Sequence, residues 1–167
     1  MNFQRIARHL LMTQWQVNRL FPRKSLLAIE QAISISENTH LGEIRFVVEG
    51  ALDGTPLLKG QSARARAIDV FAQLRIWDTE HNTGVLIYLL LADRDVEIVA
   101  DRGIVAKTHA SEWENICHRM ETAFKHGDYE DGVLNGIQDV TQQLIKHFPK
   151  AGGASDSNEL SDQPVKL

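Results

Sequence analysis

Six acidic residues stand near the predicted ends of strands and helices, where their side-chain oxygens could hold a metal ion. Carboxylates brought close together repel one another unless they are protonated or bridged by a cation. Calcium suits such hard oxygen ligands on flexible loops and takes about 6–8 of them. The predicted ligands, with calcium (Ca²⁺) as the cofactor, are Glu49, Asp53, Asp93, Asp95, Asp128 and Asp131. The alternative interpretation is that the aspartates fill turn and cap positions, where this residue type is favoured anyway.

A small predicted sheet brings these carboxylates to one edge. Glu43–Glu49 is rich in β-branched residues and Val85–Leu91 is an almost unbroken apolar run, and both patterns predict strands. The helical spacing in Ser62–Trp77 predicts a helix between them, so the two strands should run parallel. The polar triplet Asp93–Asp95 predicts a tight turn into an antiparallel third strand, Val96–Asp101. Ligands of open α/β sheets favour the edge where parallel strands end.

Helices before and after these strands complete the predicted architecture. Ser111 and Glu114 have the spacing of a capping box that opens a helix, and Gly127 is placed to end it. The element order α-α-β-α-β-β-α-α predicts an α/β fold, an α/β/α sandwich with a small mixed central sheet flanked by helices. The predicted divisions are a basic amphipathic N-terminal helix (1–24), the α/β domain (25–149) and a disordered C-terminal tail (150–167).

Residues 1–24 contain five basic side chains and no acidic one. Their apolar residues recur at roughly helical spacing, which predicts one amphipathic helix that Pro22 ends. These residues are Phe3, Ile6, Ala7, Leu10, Val17 and Phe21. One interpretation is peripheral contact with an anionic membrane surface, or docking to a partner protein. The alternative is a helix packed on its own domain with a solvated basic face.

The composition narrows the classes of function and the compartment. A formal net charge of −4 argues against nucleic acid as a partner, because phosphate binding needs a basic face. With a single cysteine the sequence can form no internal disulfide, and its apolar runs are too short to span a bilayer. The sequence shows neither the apolar core nor the cleavage site of a signal peptide. We therefore expect a soluble, cytoplasmic protein, peripheral to the membrane if its first helix binds one.

Other residues that often carry chemistry form no catalytic pattern. The seven histidines include no H-E-x-x-H or comparable pair of metal ligands, and no glycine-rich phosphate loop follows a strand. Cys117 shares the apolar stripe of its helix with Trp113 and Met120, which predicts a buried thiol. Trp77 and Trp113 are predicted to anchor the core.

Three stretches in the right order carry a resemblance to a known family. They are G-E-I-R-F-V-V-E (42–49), N-T-G-V-L-I-Y-L-L-L-A-D-R-D-V-E-I-V-A-D-R-G-I-V (82–105) and F-K-H-G-D-Y-E-D-G-V-L-N-G-I (124–137). Together they resemble the TPM domain family, which is named from thylakoid-lumen, photosystem-repair and acetylcholine-receptor accessory members. The resemblance covers about residues 26–148.

The resemblance implies a helix-flanked central sheet and a role in maintaining or assembling membrane-associated complexes. Some members of that family are associated with acid phosphatase activity or calcium binding. Many carry a signal peptide and a membrane anchor, and this sequence shows neither pattern. The resemblance therefore implies a protein partner that belongs to a membrane-associated complex, and it leaves the oligomeric state open.

Two functions follow as hypotheses. The first is a non-enzymatic binding or assembly module, regulated by a divalent cation and associated with membrane-protein complexes. The second is a metal-assisted acid phosphatase that acts at the acidic edge of the sheet. A phosphatase should also offer cations to the substrate phosphate. Arg94 is the arginine expected at that edge, whereas Arg102 follows the third strand and belongs at the opposite one, so the sequence favours the binding module.

Overall fold

The computed structural model describes residues 3–150 and 158–167. The helices and strands in chain order are α1 (Phe3–Leu11), α2 (Gln14–Leu20), α3 (Arg23–Glu37), β1 (Glu43–Glu49), α4 (Gly54–Leu58), α5 (Ala63–Gln73), β2 (Gly84–Leu90), β3 (Asp95–Ala100), α6 (Arg102–Val105), α7 (Ala110–His126), α8 (Tyr129–His147) and β4 (Val165–Lys166).

The strands form one mixed sheet in the order β3-β2-β1-β4. β1 and β2 run parallel, with Glu43 opposite Gly84 and Glu49 opposite Leu90. β3 returns antiparallel to β2 after a tight turn in which Arg94 has φ 54°. The parallel pair, the antiparallel hairpin and the mixed sheet were each expected from the sequence, and each is confirmed.

Helices cover both faces of the sheet, which confirms the α/β/α sandwich. On one face, alternate residues of β1, β2 and β3 pack against α2, α3, α7 and α8. On the other face, a smaller core joins the remaining alternate residues to α4, α5 and the segment before β2. All seven residues of β2 are buried, as expected for a strand covered on both sides. Burial of this apolar surface is the main force that holds the layers together.

Gly84 begins β2 at a point where the backbone of the preceding segment comes very close. A Cβ atom at this position would lie 2.0 Å from the carbonyl oxygen of Ile76. No side chain can be accommodated against a backbone atom at that distance, so the entry into β2 requires glycine.

The N-terminal segment differs from the single helix predicted for it. The chain breaks between α1 and α2, because Thr13 caps α2 through a capping box with Gln16. Val17 is buried as the apolar stripe predicted, but Phe3 and Leu10 are 73% and 75% exposed. The part of the predicted stripe on α1 is therefore exposed at Phe3 and Leu10, whereas the part on α2 is buried at Val17.

Two smaller expectations about the middle of the chain differ from the structure, and two others are confirmed. Trp77 is half exposed instead of anchoring the core, whereas Trp113 is buried as expected. The capping box of α7 joins His109 to Glu112, not Ser111 to Glu114, so this helix begins slightly earlier than predicted. Gly127 does end α7, with φ 90° in the left-handed region that glycine tolerates.

The end of the chain differs from the disordered tail predicted for residues 150–167. Of that range, residues 151–157 lie outside the described residues. Val165 and Lys166 form β4 and pair in parallel with Val47 and Val48 of β1. The short strand is fixed by a further backbone bond from the N–H of Leu167 to the carbonyl of Val48, at 3.0 Å. Its short apolar–polar alternation was too brief to distinguish from a loop in the sequence.

Candidate functional site

The edge of the sheet where β1 and β2 end is covered by the chain's own first helix. α1 lies across this edge and contributes two side chains, Arg5 and His9, that reach the hairpin turn after β2. The two residues are four positions apart and therefore share one face of α1. The carboxylate that they reach is Asp93, one of the six predicted metal ligands.

Asp93 sits at the centre of a group of positive and neutral donors. Arg5 places Nη2 2.8 Å from Asp93 Oδ2 and donates from Nε to the same oxygen at 2.9 Å. Arg8 Nη2 lies farther away, 3.6 Å from Oδ1. Burial alone would raise the pKa of Asp93, but the hydrogen bonds from Arg5 and His9 outweigh it and hold the pKa below its ordinary value. Asp93 is therefore an ionised carboxylate whose charge is met by α1.

His9 connects α1 to two loops at once. Its side chain is fully buried, and its Nδ1 accepts a hydrogen bond from the backbone N–H of Leu52 at 2.9 Å. The ring proton is therefore assigned to Nε2, which faces Asp93 Oδ1 at 3.1 Å. Arg5 adds a third link, from Nη2 to the carbonyl oxygen of Gln61 at 2.7 Å. These bonds fasten α1 to the loop after β1 and to the hairpin turn.

A second ion pair occupies Glu49, the last residue of β1. Arg66 of α5 binds its carboxylate with two bonds, Nε to Oε2 at 2.8 Å and Nη2 to Oε1 at 3.0 Å. The hydroxyl of Tyr88 donates to the same carboxylate at 2.7 Å. Burial, together with the neighbouring carboxylate, raises the pKa of Tyr88 far above its ordinary value, so this hydroxyl stays protonated and serves as a donor. Two-point pairing of this kind is among the stronger charged contacts in proteins.

The structure does not gather the six predicted ligands into one set. Asp53 and Asp128 are exposed at the N-terminal ends of α4 and α8, where neither side chain makes a cap hydrogen bond, and Asp131 is exposed in the first turn of α8. Asp95 lies near other carboxylates at the start of β3. Within residues 3–150 and 158–167, no group of three or more His, Cys, Asp or Glu side chains is arranged to hold a metal ion.

Sequence reasoning missed the basic partners of these carboxylates. It left the basic side chains of residues 1–24 facing an anionic membrane, a partner protein or solvent, and it did not single out His9 or Arg66. The four-residue spacing of Arg5 and His9 was a usable signal, because it puts both on one helix face. What that face meets depends on how α1 packs, which no local pattern reveals.

A second feature of the same segment is its exposed apolar side. The N-terminal surface, as we call it, consists of Phe3, Leu10, Leu11 and Trp15. Their exposed fractions are 73%, 75%, 73% and 66%. Arg19 approaches the ring of Trp15, with its guanidinium carbon 5.4 Å from the ring centroid. Exposed apolar side chains are ordinary when scattered, whereas four within one short segment mark a candidate interaction surface.

Comparison with known proteins assigns the fold to a family. A family model described as the TPM domain matches residues 18–143, which is most of the chain. The chain belongs to the TPM domain family. The TPM resemblance read from the three sequence stretches is thereby confirmed. No curated protein matches the chain.

Two solved structures are similar to this TPM domain protein. The NMR structure of the BA42 protein from the psychrophilic bacterium Bizionia argentinensis has a TM-score of 0.75 at 29% identity. The match covers 86% of this chain and 93% of that one. The solution structure of the N-terminal domain of a protein from P. gingivalis has a TM-score of 0.63 at 19% identity, covering 79% and 83% of the two chains. At that identity the second likeness concerns the fold alone.

The N-terminal surface lies ahead of the stretch that the TPM model matches, which starts at residue 18. Three of its four exposed apolar side chains belong to α1, and Trp15 belongs to α2. No described helix combines the length and the apolar character that crossing a bilayer would require.

Proposed function

We propose that this TPM domain protein is a cytoplasmic, non-enzymatic binding and assembly module that docks on an anionic membrane surface. The N-terminal surface is the contact, and the protein partner is part of a membrane-associated complex. The observation that carries the proposal is the exposure of four large apolar side chains on α1 and α2, ahead of the matched TPM domain. An apolar helical side of this kind inserts at the boundary between lipid headgroups and acyl chains.

The charges of the same segment favour an anionic surface. The first acidic residue of the chain is Glu30, so the segment that carries the N-terminal surface has no carboxylate of its own. Arg8, Arg19 and Arg23 are exposed in this segment. Each basic side chain close to an anionic leaflet contributes about 1 kcal/mol of attraction. Apolar insertion and charge attraction therefore act in the same direction.

The attachment of α1 to the domain also favours docking. The bonds of Arg5 and His9 to the sheet edge hold α1 in place before any membrane arrives. A surface that is already ordered loses less conformational entropy on binding than a segment that must fold first. The inner face of α1 thus fixes the direction in which the outer face points.

Sedimentation with lipid vesicles tests this proposal. The full chain should sediment with vesicles of phosphatidylcholine and phosphatidylserine, and much less with phosphatidylcholine alone. The double variant Leu10→Ser/Leu11→Ser removes two apolar side chains from the N-terminal surface. It should weaken binding to the vesicles by at least about tenfold. Ile35→Ser is the matched control, because Ile35 is 61% exposed on α3, outside the N-terminal surface. Equal binding to both vesicle types, or undiminished binding by the double variant, would refute the proposal.

Calcium binding and phosphatase activity stay predictions of the sequence. The structure supplies a reason to favour the binding module, because Glu49 and Asp93 already have arginine partners. Calorimetry with calcium tests the cation, and heat with a shift in melting temperature would support it. Turnover of p-nitrophenyl phosphate with Ca²⁺ or Mg²⁺, lost in Asp93→Asn, would replace the binding module with the enzyme.

A further inference from the structure

A groove of about 530 Å³ runs along the outer side of β3. β3 is the end strand of the sheet, and the groove lies between it, α7 and the start of α5. Its apolar lining includes Ile98 and Trp113, both buried, and Val105, which is 58% exposed. The groove is separate from the N-terminal surface and from the ion pairs of Glu49 and Asp93.

The backbone of β3 directs strand positions that pair with no other strand toward this groove. The N–H of Asp101 donates to the carbonyl of Gly84. This bond determines which residues of β3 direct their backbone groups toward β2. In an antiparallel pair the backbone groups of successive residues point alternately toward and away from the partner strand. Val96, Ile98 and Ala100 therefore direct their N–H and C=O groups away from β2 and into the groove.

Side chains bond to several of these outward groups in place of a neighbouring strand, and one of them is the buried thiol of Cys117, which bonds to the backbone of Ile98. Glu121 Oε1 accepts from the N–H of Val96 at 3.3 Å, and Arg64 Nη1 donates to the carbonyl of Ile98 at 2.6 Å. The Arg64 side chain is 51% exposed and the Glu121 side chain 20% exposed. Both are long side chains at the border of solvent, so an incoming backbone can displace them at a modest cost.

The groove is also strongly acidic. Among the described residues that line it are four carboxylates, Asp95, Glu97, Glu114 and Glu121. They stand with one arginine, Arg64, and one histidine, His118, whose Nδ1 lies 3.3 Å from Glu121 Oε2. Burial, with repulsion from Glu97 and Glu121, raises the pKa of Asp95 to about 6. Burial, with repulsion from the two α7 glutamates, raises the pKa of Glu97 despite its pairing with Arg64. Neighbouring positive charges therefore do not neutralise these carboxylates, and a cationic occupant of the groove would do so.

An extended peptide matches the groove in both respects. Strand addition gives affinity through main-chain hydrogen bonds and specificity through alternate side chains. A peptide beside β3 can bond to the outward groups of Val96 and Ala100 and to the carbonyl of Ile98. Its lysine or arginine side chains can reach the carboxylates that flank the edge, on β3 and on α7. A small ion would meet the charge but leave the backbone positions and the apolar lining unused.

We propose that the outer edge of β3 binds an extended, lysine- or arginine-bearing segment of a partner protein as an additional strand of the sheet. The inference goes beyond the membrane contact, because it assigns a separate surface to the protein partner. Vesicle binding and peptide binding use different residues, so failure of either proposal can be recognised without the other.

The probes are three capped hexapeptides, added to the full chain and followed by calorimetry and amide chemical shifts. One alternates lysine with valine, the second alternates glutamate with valine, and the third is the lysine peptide with every second backbone nitrogen methylated. The lysine peptide should bind at least about tenfold more tightly than the glutamate peptide. The lysine peptide should also shift the amide resonances of Val96, Ile98 and Ala100. The methylated peptide should bind at least about tenfold more weakly, because it cannot donate all of the backbone hydrogen bonds of an added strand.

Variants of the groove test its two components separately. Glu97→Gln/Glu121→Gln keeps the side-chain acceptor for Val96 but removes two charges, and should weaken lysine-peptide binding by at least about fivefold. Ala100→Pro removes one outward N–H, a change that an edge strand tolerates, and should also weaken it. Glu80→Gln, an exposed glutamate outside the groove, is the matched control and should bind as the wild type does.

Several results would overturn the proposal. Equal binding of the lysine and glutamate peptides would remove the charge argument, and equal binding of the methylated peptide would remove strand addition. Heat with calcium and none with any peptide would assign the groove to a cation instead. If Ala100→Pro fails to fold, the double glutamine variant and the methylated peptide still decide the question.

Discussion

Glu37, the last residue of α3, carries a carboxyl group whose ionisation should make the stability of the fold depend on pH. Its Oε1 accepts a hydrogen bond from the N–H of Ile44 at 2.8 Å. Burial, with the nearby carboxyls of Glu43 and Asp162, raises the pKa of Glu37 from 4.5 to about 9. At neutral pH the side chain is therefore protonated in the folded protein and can donate to Asp162.

The direction of the pH dependence follows from this shift. A carboxyl whose pKa is higher in the folded state stabilises the fold fully below pH 4.5, its ordinary pKa, and loses that contribution as the pH rises toward 9. Each pKa unit corresponds to about 1.4 kcal/mol, so the interval from 4.5 to 7 gives an upper limit of about 3 kcal/mol. Glu37 is only partly buried, and solvent reduces the penalty. We expect about 1–2 kcal/mol at pH 7.

Glu37→Gln should remove this penalty. Glutamine keeps the acceptor for Ile44 and a donor for Asp162, but it cannot ionise. Urea unfolding should show equal stability of variant and wild type near pH 4.5, and an advantage of the variant by about 1–2 kcal/mol at pH 7. Glu80→Gln is the control for removing one exposed charge. A difference between Glu37→Gln and the wild type that stays constant or shrinks as the pH rises would refute the reasoning.

Two further predictions concern the core around β2 and β3. Gly84→Ala should lower the melting temperature severely, because the new Cβ would lie 2.0 Å from the carbonyl oxygen of Ile76. Gly60→Ala is the control, because Gly60 has open space around it and a φ of 70°. By calorimetry, this control should lower the free energy of unfolding by only about 1 kcal/mol. Equal losses would contradict the close approach. Cys117 should react with a thiol reagent only at the rate at which the fold opens, because burial raises the pKa of its thiol to about 12. A reaction of the native protein as rapid as that of the denatured chain would contradict this.

The sequence predicted the sheet well because its signals are local and strong. The unbroken apolar run that became β2 has one ready explanation, a strand covered on both faces. The helix between β1 and β2 and the short turn after Ala92 then determine which neighbours run parallel and which antiparallel. β4 escaped prediction because two paired residues leave no periodicity.

The candidate site was harder to predict because its partners come from distant segments. The sequence identified Glu49 and Asp93 as carboxylates at the ends of strands. It could not supply Arg66 or His9, since these side chains depend on which face of α5 and of α1 meets the sheet. The predicted single N-terminal helix failed for a related reason. Its apolar stripe was continuous in sequence, but the cap at Thr13 redirects the chain.

The pairing of β4 with β1 gives the sheet two unlike borders. On one side the border strand is only Val165–Lys166, and two residues offer almost no template for a further strand. On the other side β3 presents its outward backbone groups along Asp95–Ala100. Of the two borders of this sheet, the β3 side is therefore the one suited to accept a further strand.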